Sequence, residues 1–586
     1  MPNKAKQDKL QPTELNLALR QVRQGFMAAG VFSLFINLLM LVPAIYMLQV
    51  YDRALGSRSV ETLVMLTIIV VVLFVTMALL QMVRSAILVR IGNNIDTQLG
   101  GKIFSGMFRQ AVDKPGTQGA QPLSDLTTLR QYLTGQGPIA FFDGPWLPLF
   151  IGVLFMFHFW FGVFSIIAAL ILIALAYANE KLTGKMLAVA GQASIQSNQY
   201  ASSCLRNAEV VHAMGMEGNL RQRWQQRHTE FLTNQADASD RAGILSNTSK
   251  TLRMLFQSLM LGLGAWLAIE QEISPGMVIA GSILMGRALA PLDLMIGSWK
   301  SFAGARSAYE RLQALLRHYY SEKAAMPLPP PEGRVSVEGI FVVPPGAAQP
   351  ALRGVAFELE PGDMLAIVGP SAAGKSTLAR AMLGVWPIAN GKVRLDGADV
   401  HQWDKALLGP HIGYLPQDIE LFEGTISENI CRFGEADPQK VVAAARLAGV
   451  HELILRLPNG YDTAIAVAGG VLSGGQRQRI GLARAVYGEP KLVVLDEPNS
   501  NLDDQGEQAL LEALEHMKAQ GVTVILITHK KQILRLVDKM LVLSDGQVMA
   551  FGARDEVMQA IQAGQLALVG KSGTAGSGKA IQAGGA

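Results

Sequence analysis

Cysteine is scarce in this sequence, which has only Cys204 and Cys431 among its 586 residues. A disulfide framework is therefore excluded as the basis of the fold. Charged residues make up 17%, below the roughly 25% of soluble domains, which argues against an ordinary soluble protein. The net charge of +4 is small for this length, so charge does not indicate a nucleic-acid partner.

Charge is lacking above all before residue 300, where long runs contain no Asp, Glu, Lys or Arg. Half of the whole chain is hydrophobic, and its mean hydropathy is +0.26. Since about 20 apolar residues cross a bilayer, the uncharged runs Gln24–Tyr51, Thr62–Val83 and Gly144–Asn179 predict membrane spans. The third run is long enough for two spans, with a hairpin at His158–Gly162. The six predicted spans lie at about residues 25–50, 62–83, 139–157, 159–179, 253–270 and 276–298.

The distribution of Lys and Arg sets the predicted orientation of the spans. The segment before the first span contains Lys4, Lys6, Lys9, Arg20 and Arg23. The short loop after the fifth span has no basic residue. Because basic loops stay on the cytosolic side, residues 1–23 are predicted to be a cytosolic tail, and six crossings return everything after residue 300 to the cytosol. The connections at about 84–138 and 180–252 are then cytosolic, and their apolar spacing favours helices that continue the spans over plain loops.

The second half of the chain follows a different pattern. After Pro327–Pro331, short β-branched runs alternate with helical stretches, which is typical of an α/β domain. We predict a linker at 321–333 and a soluble domain at 334–565. Residues 566–586 are rich in Gly, Ala, Ser and Lys and are predicted to be disordered. Gly573–Ala580 there nearly repeats the phosphate-binding pattern found upstream, but no strand precedes it.

A phosphate-binding loop is the strongest motif of the second half. The apolar run Leu365–Val368 leads into GPSAAGKST, and a helical pattern follows. This is the strand, loop and helix order of a P-loop, in which backbone N–H groups and a helix N-terminus hold phosphates. Lys375 is predicted to reach the β- and γ-phosphates, and the Ser376 hydroxyl to ligate Mg²⁺. The predicted nucleotide-binding residues of the loop are Gly369, Pro370, Ser371, Ala372, Ala373, Gly374, Lys375, Ser376 and Thr377.

Two adjacent carboxylates, Asp496 and Glu497, end a second apolar run that begins at Leu492. Continuous apolar strands are buried on both faces of a parallel sheet, and nucleotide chemistry occurs at their carboxyl ends. Given the P-loop upstream, Asp496 is predicted to hold Mg²⁺ through water and Glu497 to polarise the attacking water. Two solvated carboxylates without a role are the alternative.

A short segment between these motifs adds specificity. It consists of Ser473, Gly474, Gly475 and Gln476 and opens a helical run about 20 residues before the acidic strand. Alone it is a weak anion-site signal, because a plain turn has the same composition. Together with the other motifs it resembles an ATP-binding-cassette (ABC) ATPase over about residues 334–565. The resemblance implies that this segment completes the nucleotide site of another cassette.

The same resemblance implies roles for further residues. Gln417 resembles the Q-loop glutamine, which senses Mg²⁺ and contacts the membrane domain. Asp503 belongs to a segment that resembles the D-loop, and His529 resembles the switch histidine on the γ-phosphate. Phe341 is the only aromatic residue where the family often stacks adenine. The implied catalytic set is Glu497, His529 and Gln417, and the implied metal set is Ser376, Gln417 and Asp496.

With the six spans, the chain resembles an ABC exporter half-transporter. The predicted fold is an α-helical six-span exporter domain at 24–320, fused to an α/β P-loop nucleotide-binding domain. Several stretches resemble the type I secretion permease/ATPases that export proteases, lipases and S-layer proteins. These stretches are Gln49–Leu63, Asp125–Leu133, Phe142–Trp146 and Val343–Gly346.

This resemblance implies ATP-driven export of an unfolded protein with an uncleaved C-terminal signal across a bacterial inner membrane, with ATP and Mg²⁺ as cofactors. The implied partners are a periplasmic adaptor protein, an outer-membrane channel, the secreted substrate and membrane lipid, without nucleic acid. One P-loop and one Ser-Gly-Gly-Gln segment in the chain predict a homodimer with two composite ATP sites. An exporter of lipid or of a small hydrophobic molecule is the alternative, because it has the same architecture.

Two further expectations concern the membrane half. Short helices near Ala111–Gln121 and Ser202–Val211 are expected to rest on the cassettes. Asp143, Arg287 and Asp293 lie within or beside apolar runs, where ionisable groups usually face protein or water. They either form helix-packing ion pairs or line a polar translocation path, with Arg287 in the sixth span.

Overall fold

The computed structural model describes residues 14–114, 119–320, 328–465 and 472–563. The predicted disordered tail at 566–586, the start of the N-terminal tail and the first part of the linker lie outside these residues. The chain divides into two compact units. Of the described residues, the membrane unit contains 14–111 and 119–320, and the cassette unit contains 112–114, 328–465 and 472–563.

Helices build the described part of the membrane unit. A π-helical turn at Val50–Leu55 and a 3₁₀ turn at Gly144–Trp146 interrupt them. Their bounds are α1 Glu14–Gln21, α2 Arg23–Leu39, α3 Val42–Gln49, α4 Val60–Asp113, α5 Gln121–Thr134, α6 Gln136–Asp143, α7 Leu147–Phe157, α8 Phe159–Leu205, α9 Ala208–Ala213, α10 Glu217–Ile269, α11 Pro275–Gly297 and α12 Trp299–Tyr319.

Six helical segments of the described chain are long and apolar enough to cross a membrane, which confirms the six-span prediction. They are Arg23–Leu55, Val60–Asp113, Gln136–Phe157, Phe159–Leu205, Glu217–Ile269 and Pro275–Gly297. The helices α4, α8 and α10 have 54, 47 and 53 residues. At about 1.5 Å per residue they extend far beyond a hydrocarbon core of about 30 Å. Helices therefore continue the spans, as the apolar spacing predicts.

Proline and histidine mark the breaks within and between spans. The first span, predicted as one helix, is divided because α2 ends at Leu39 and Pro43 occupies the first turn of α3. Proline lacks the N–H that a continuing helix requires, but it is tolerated in a first turn. At the predicted hairpin, His158 is extended, and its Nδ1 accepts a hydrogen bond from the Trp160 N–H at 3.2 Å to cap α8.

A buried ion pair joins the first three spans. The Oδ1 atom of Asp143 accepts hydrogen bonds from Arg84 Nη1 and from Asn37 Nδ2, both at 2.9 Å. Arg84 also donates to the Ser33 hydroxyl at 2.8 Å. Both members of the ion pair are almost fully buried, with side-chain exposures of 6% and 8%. Asp143 is thus a helix-packing residue, which is the plainer of the two expectations.

The sixth span contains two charged residues, Arg287 and Asp293, whose surroundings differ. Asp293 accepts hydrogen bonds from the Ser249 hydroxyl at 2.8 Å and from Arg253 Nε at 3.2 Å, so it also packs helices. Arg287 is exposed, and no hydrogen bond or ion pair joins its guanidinium to another described residue. The translocation-path expectation therefore remains open for Arg287 alone.

The expected short helices of the membrane half have different outcomes. The one near Ser202–Val211 appears as α9, displaced to Ala208–Ala213 and carrying the exposed Val210. Residues 115–118 of the other lie outside the described chain.

The described part of the cassette unit contains three sheets. A six-stranded sheet has the order β12-β11-β3-β10-β9-β6, a four-stranded sheet has the order β2-β1-β4-β5, and β7 pairs with β8. The strands are β1 Val335–Val342, β2 Leu352–Leu359, β3 Met364–Val368, β4 Asn390–Leu395, β5 Ala398–Asp399, β6 Ile412–Leu415, β7 Gly424–Thr425, β8 Ala464–Ile465, β9 Leu492–Asp496, β10 Thr523–Ile527, β11 Lys539–Ser544 and β12 Gln547–Ala553.

Helices cover the six-stranded sheet and complete the α/β fold that the sequence predicts. They are α13 Lys375–Met382, α14 Lys405–Leu408, α15 Ile426–Ile430, α16 Pro438–Leu447, α17 His451–Leu455, α18 Gly474–Val486, α19 Asp504–Ala519, α20 Lys531–Leu534 and α21 Arg554–Gln562.

The central strands explain why the apolar runs are continuous. Every residue of β3, β9 and β10 is buried, because helices and the four-stranded sheet cover the two faces of the six-stranded sheet. The three strands are parallel, and Ile527 is paired with Ile367 on one side and with Asp496 on the other. Their carboxyl ends therefore lie side by side at one edge of the sheet.

Candidate functional site

The P-loop follows β3 directly and leads into a helix. Gly369 to Gly374 connect the two elements, and Lys375, Ser376 and Thr377 form the first turn of α13. A Cβ atom on Gly369 would lie 2.0 Å from the Leu543 carbonyl oxygen, and Gly374 has a φ of +97°. Only glycine fits these two positions without strain. The backbone N–H groups of the loop and of the first helical turn thus form a site suited to an anion.

Lys375 is held inside this loop. Its Nζ donates hydrogen bonds to the carbonyl oxygens of Gly369 at 2.8 Å and of Pro370 at 2.9 Å. Burial lowers the pKa of the ammonium group, and the carboxylates of Glu497 and Asp496 act in the opposite direction. The cation predicted to reach the phosphates therefore lies between the loop and the two acidic residues.

Asp496 is a buried carboxylate at the end of β9, with 1% of its surface exposed. Neither of its oxygens has a hydrogen-bond partner among the residues that the structure describes. Burial raises the pKa of Asp496, and the nearby Glu497 carboxylate raises it further. The Ser376 hydroxyl lowers this pKa, although it does not meet hydrogen-bond geometry with the Asp496 oxygens. An unsatisfied carboxylate beside a hydroxyl is a set of oxygen ligands suited to a hard cation such as Mg²⁺.

Glu497 has an unusual backbone conformation. Its φ is +50°, in the left-handed region that non-glycine residues rarely adopt. Its N–H donates to the Ile527 carbonyl at 3.0 Å, and its Oε2 atom accepts a hydrogen bond from Gln417 Nε2 at 3.1 Å. Gln417 follows β6, which pairs with β9. Strand pairing therefore brings together two predicted catalytic residues that are 80 positions apart in the sequence.

The Ser-Gly-Gly-Gln segment forms the N-terminus of α18. Ser473 and Gln476 form a capping box, in which the Ser473 hydroxyl accepts from the Gln476 N–H and the Gln476 side chain accepts from the Ser473 N–H. Gly474 and Gly475 lie in the first turn. Among the described residues, no hydrogen bond or ion pair connects this segment with the P-loop of the same chain. The two halves of the predicted composite site are thus formed separately.

The other predicted site residues lie around the same sheet edge or apart from it. Asp503 caps α19 by accepting a hydrogen bond from the Gly506 N–H at 2.8 Å. His529 follows β10 and is exposed, and its ring has no hydrogen bond with another described residue. Phe341 lies on β1, close to Gly354, with 37% of its surface exposed.

Two features near the site were missed in the sequence. Arg380, on α13, lowers the pKa of Asp496 and lies over the Trp386 ring at 4.7 Å. The Thr528 hydroxyl donates to Asn499 Oδ1 at 3.0 Å, which connects the ends of β10 and β9. Arg380 could have been found from its helical position one turn after Ser376, whereas the Thr528–Asn499 contact has no local sequence signal.

Comparisons with known proteins agree with this geometry. The model of the ABC transporter family matches residues 352–500, and that of the ABC transporter transmembrane region matches residues 26–291. The chain is 46% identical to the type I secretion system ATP-binding protein PrsD of Rhizobium meliloti (strain 1021), over 92% of this chain and 93% of that protein.

More distant relatives have similar names. The chain is 28% identical to the cyclolysin secretion/processing ATP-binding protein CyaB of Bordetella pertussis, over 91% of this chain and 77% of that protein. It is 26% identical to the leukotoxin translocation ATP-binding protein LktB of Mannheimia haemolytica, over 92% and 77%. Its fold is similar to that of a bacterial Atm1-family ABC exporter with ATP bound, with a TM-score of 0.81, 20% identity and coverage of 94% and 99%.

Proposed function

Because the chain belongs to the type I secretion ATP-binding proteins of the ABC transporter family, we propose that it energises a type I secretion system and exports an unfolded protein. The observation that carries this proposal is the 46% identity to a type I secretion system ATP-binding protein over 92% of the chain. ATP hydrolysis alone would not define the cargo, since all ABC transporters share it. Since that identity extends over 92% of the chain, it includes the membrane half as well as the cassette, and it supports a protein cargo over a lipid or a small hydrophobic molecule.

The cassette residues have complementary tasks in ATP hydrolysis. The N–H groups of the P-loop and the ammonium of Lys375 bind the phosphates, and the Glu497 carboxylate accepts the proton of the attacking water. Gln417 orients that carboxylate through its 3.1 Å hydrogen bond, and His529 contacts the γ-phosphate. Ser376, Gln417 and, through water, Asp496 would hold Mg²⁺, which supplies positive charge to the phosphates when bound.

Two copies of the chain form the working transporter. The Ser-Gly-Gly-Gln segment of each copy completes the P-loop site of the other. This agrees with the structure, where no hydrogen bond between described residues joins the segment to the P-loop of the same chain. Cysteines at Ser371 and Ser473 provide the test. ATP is expected to promote crosslinks between chains, and crosslinks formed only within one chain would contradict the homodimer.

The transporter lies in the inner membrane with its N-terminus and cassette in the cytosol. This orientation is supported by the basic residues before the first span and by an even number of candidate spans. Its partners are a periplasmic adaptor protein, an outer-membrane channel and the secreted protein, and lipid surrounds the spans.

A comparison of secreted proteins tests the function. Deletion of the gene is expected to remove one or a few proteins from the medium, and the wild-type gene, but not a Glu497→Gln variant, should restore them. An unchanged set of secreted proteins with altered membrane lipids would support the lipid exporter instead.

A further inference from the structure

Gln478 lies in the second turn of α18 and is 2% exposed. Its Nε2 atom donates hydrogen bonds to the main-chain oxygens of Glu497, at 3.3 Å, and of Pro498. Its Oε1 atom accepts a hydrogen bond from the Asn501 N–H at 2.9 Å. Both ends of the amide are therefore satisfied by the loop that follows β9, and a side chain with only donors or only acceptors could not replace it.

The residue that Gln478 contacts is strained. Glu497 has a φ of +50°, and such conformations persist only where surrounding contacts hold them. Three hydrogen bonds to its main chain hold this one. The Glu497 N–H donates to the Ile527 carbonyl at 3.0 Å, and the Glu497 carbonyl accepts from the Ser500 N–H at 3.2 Å. The same carbonyl accepts from the Gln478 side chain, the only one of the three partners that is a side chain. The direction of the Glu497 carboxylate thus depends in part on the Gln478 amide.

The same loop also packs closely on the start of α18. A Cβ atom on Gly475 would lie 2.7 Å from the Asn501 carbonyl oxygen, so no larger residue fits between the first helical turn and the loop. The contact with Gly475 and the Gln478 amide hold α18 and the loop together at two points. A shift of the helix must therefore move the main chain next to Glu497.

We propose that Gln478 is a positioning residue for ATP hydrolysis, because its amide holds the Glu497 main chain in the conformation that aims the carboxylate. It also connects that carboxylate with the helix that begins at Ser473. The inference rests on the proposed catalytic role of Glu497. Gln478 itself touches neither the P-loop nor Lys375 through any hydrogen bond between described residues.

Three substitutions separate this role from a general loss of structure. Gln478→Met keeps the length and apolar volume of the side chain but removes all its hydrogen bonds. Gln478→Glu keeps the acceptor and places a carboxylate against the carbonyl oxygens of Glu497 and Pro498. Gln559→Met is the matched control, because Gln559 is an exposed residue of α21 in the same unit.

The measurements are kcat and KM for ATP and the number of nucleotides bound per chain, with the full-length protein in nanodiscs. Gln478→Met is expected to lower kcat about 10- to 100-fold, as misplacement of a catalytic group does, and Gln478→Glu to lower it further. KM and the number of bound nucleotides should stay within about 2-fold of wild type, since the P-loop is not touched. Gln559→Met should match wild type throughout.

The same substitution in a protein that already carries Glu497→Gln shows whether Gln478 acts through Glu497. In Glu497→Gln, adding Gln478→Met should lower the residual turnover by less than about 2-fold, because contacts that act together are not additive. An unchanged kcat in Gln478→Met, a parallel loss of bound nucleotide, or the same fold-loss in both backgrounds would overturn the inference. Wild-type turnover in Glu497→Gln alone would contradict the proposed role of Glu497, and this inference with it.

Discussion

Asp143 in the membrane unit and Asp496 in the cassette unit are both buried carboxylates, but their surroundings differ. Asp143 is paired with Arg84 and hydrogen-bonded to Asn37, whereas no described residue makes a hydrogen bond to the oxygens of Asp496. Removing a carboxylate from water is costly unless partners compensate. The carboxylate with hydrogen-bond partners packs helices, and the one without them fits the proposed site for a cation and phosphates.

The largest effect is expected from Glu497→Gln. The amide keeps the size of the side chain but cannot accept the proton of the attacking water, so turnover should fall about 10²-fold or more. Binding of ATP should remain, because Lys375 and the P-loop are unchanged. Steady-state ATPase and equilibrium nucleotide binding are the two measurements. Normal ATPase activity in this variant would contradict the assigned role.

The next largest effect is expected on stability in the membrane unit. Arg84→Met or Asp143→Asn leaves a buried group without its partner, which should cost about 3–5 kcal/mol and lower the melting temperature of the purified protein. The double variant Arg84→Met with Asp143→Leu should recover most of the loss.

Arg306→Met is the control for the ion pair. Arg306 and Glu310 form an ion pair in which each side chain is 62% exposed, and exposed pairs contribute little. Equal losses of stability in the Arg84 and Arg306 variants would contradict the distinction between a buried and an exposed ion pair.

Asp496→Asn should not lower the stability of the folded protein, in contrast to the variants of the buried ion pair. The pKa of Asp496 is raised by burial, so its ionised form destabilises the folded state. The variant should therefore melt at or above the wild-type temperature while losing ATPase activity. Its advantage should grow as pH rises through the raised pKa and disappear at lower pH, where the wild-type carboxyl is protonated. Melting curves without nucleotide between pH 4 and pH 8 provide the test, and a lower melting temperature at pH 8 would count against it.

The smallest effect on stability is expected at Arg287, the exposed charge of the sixth span that no described residue pairs with. Arg287→Cys should leave the melting temperature unchanged, and its thiol should react with a membrane-impermeant reagent if the side chain lines an aqueous path. Protection of the thiol throughout the ATP cycle would place it with the packing charges Asp143 and Asp293.

The chemistry of the nucleotide site was predictable from sequence because each motif is local. A strand, a glycine-rich loop and a helix N-terminus are adjacent in the chain, so Gly369 to Thr377 identify the loop without knowledge of the fold. The long helices of the membrane unit were predictable for the same reason, since apolar spacing is a property of one segment. For Asp143 and Asp293 the sequence left ion pairs and a polar path as alternatives, because neither residue has its partner nearby in the chain.

The sequence by itself determined six spans, a P-loop domain and the residue types of an ATP site. Only the tertiary structure decided which of those residues touch. Gln417 reaches Glu497 because β6 pairs with β9, and Gln478 reaches the strained Glu497 main chain because α18 packs on the loop after β9. Such contacts depend on the order of the strands and on the packing of the helices. Both are determined jointly by residues that are distant from one another in the chain. A local motif indicates which chemical group a residue supplies, but it does not indicate the direction in which neighbouring residues orient that group.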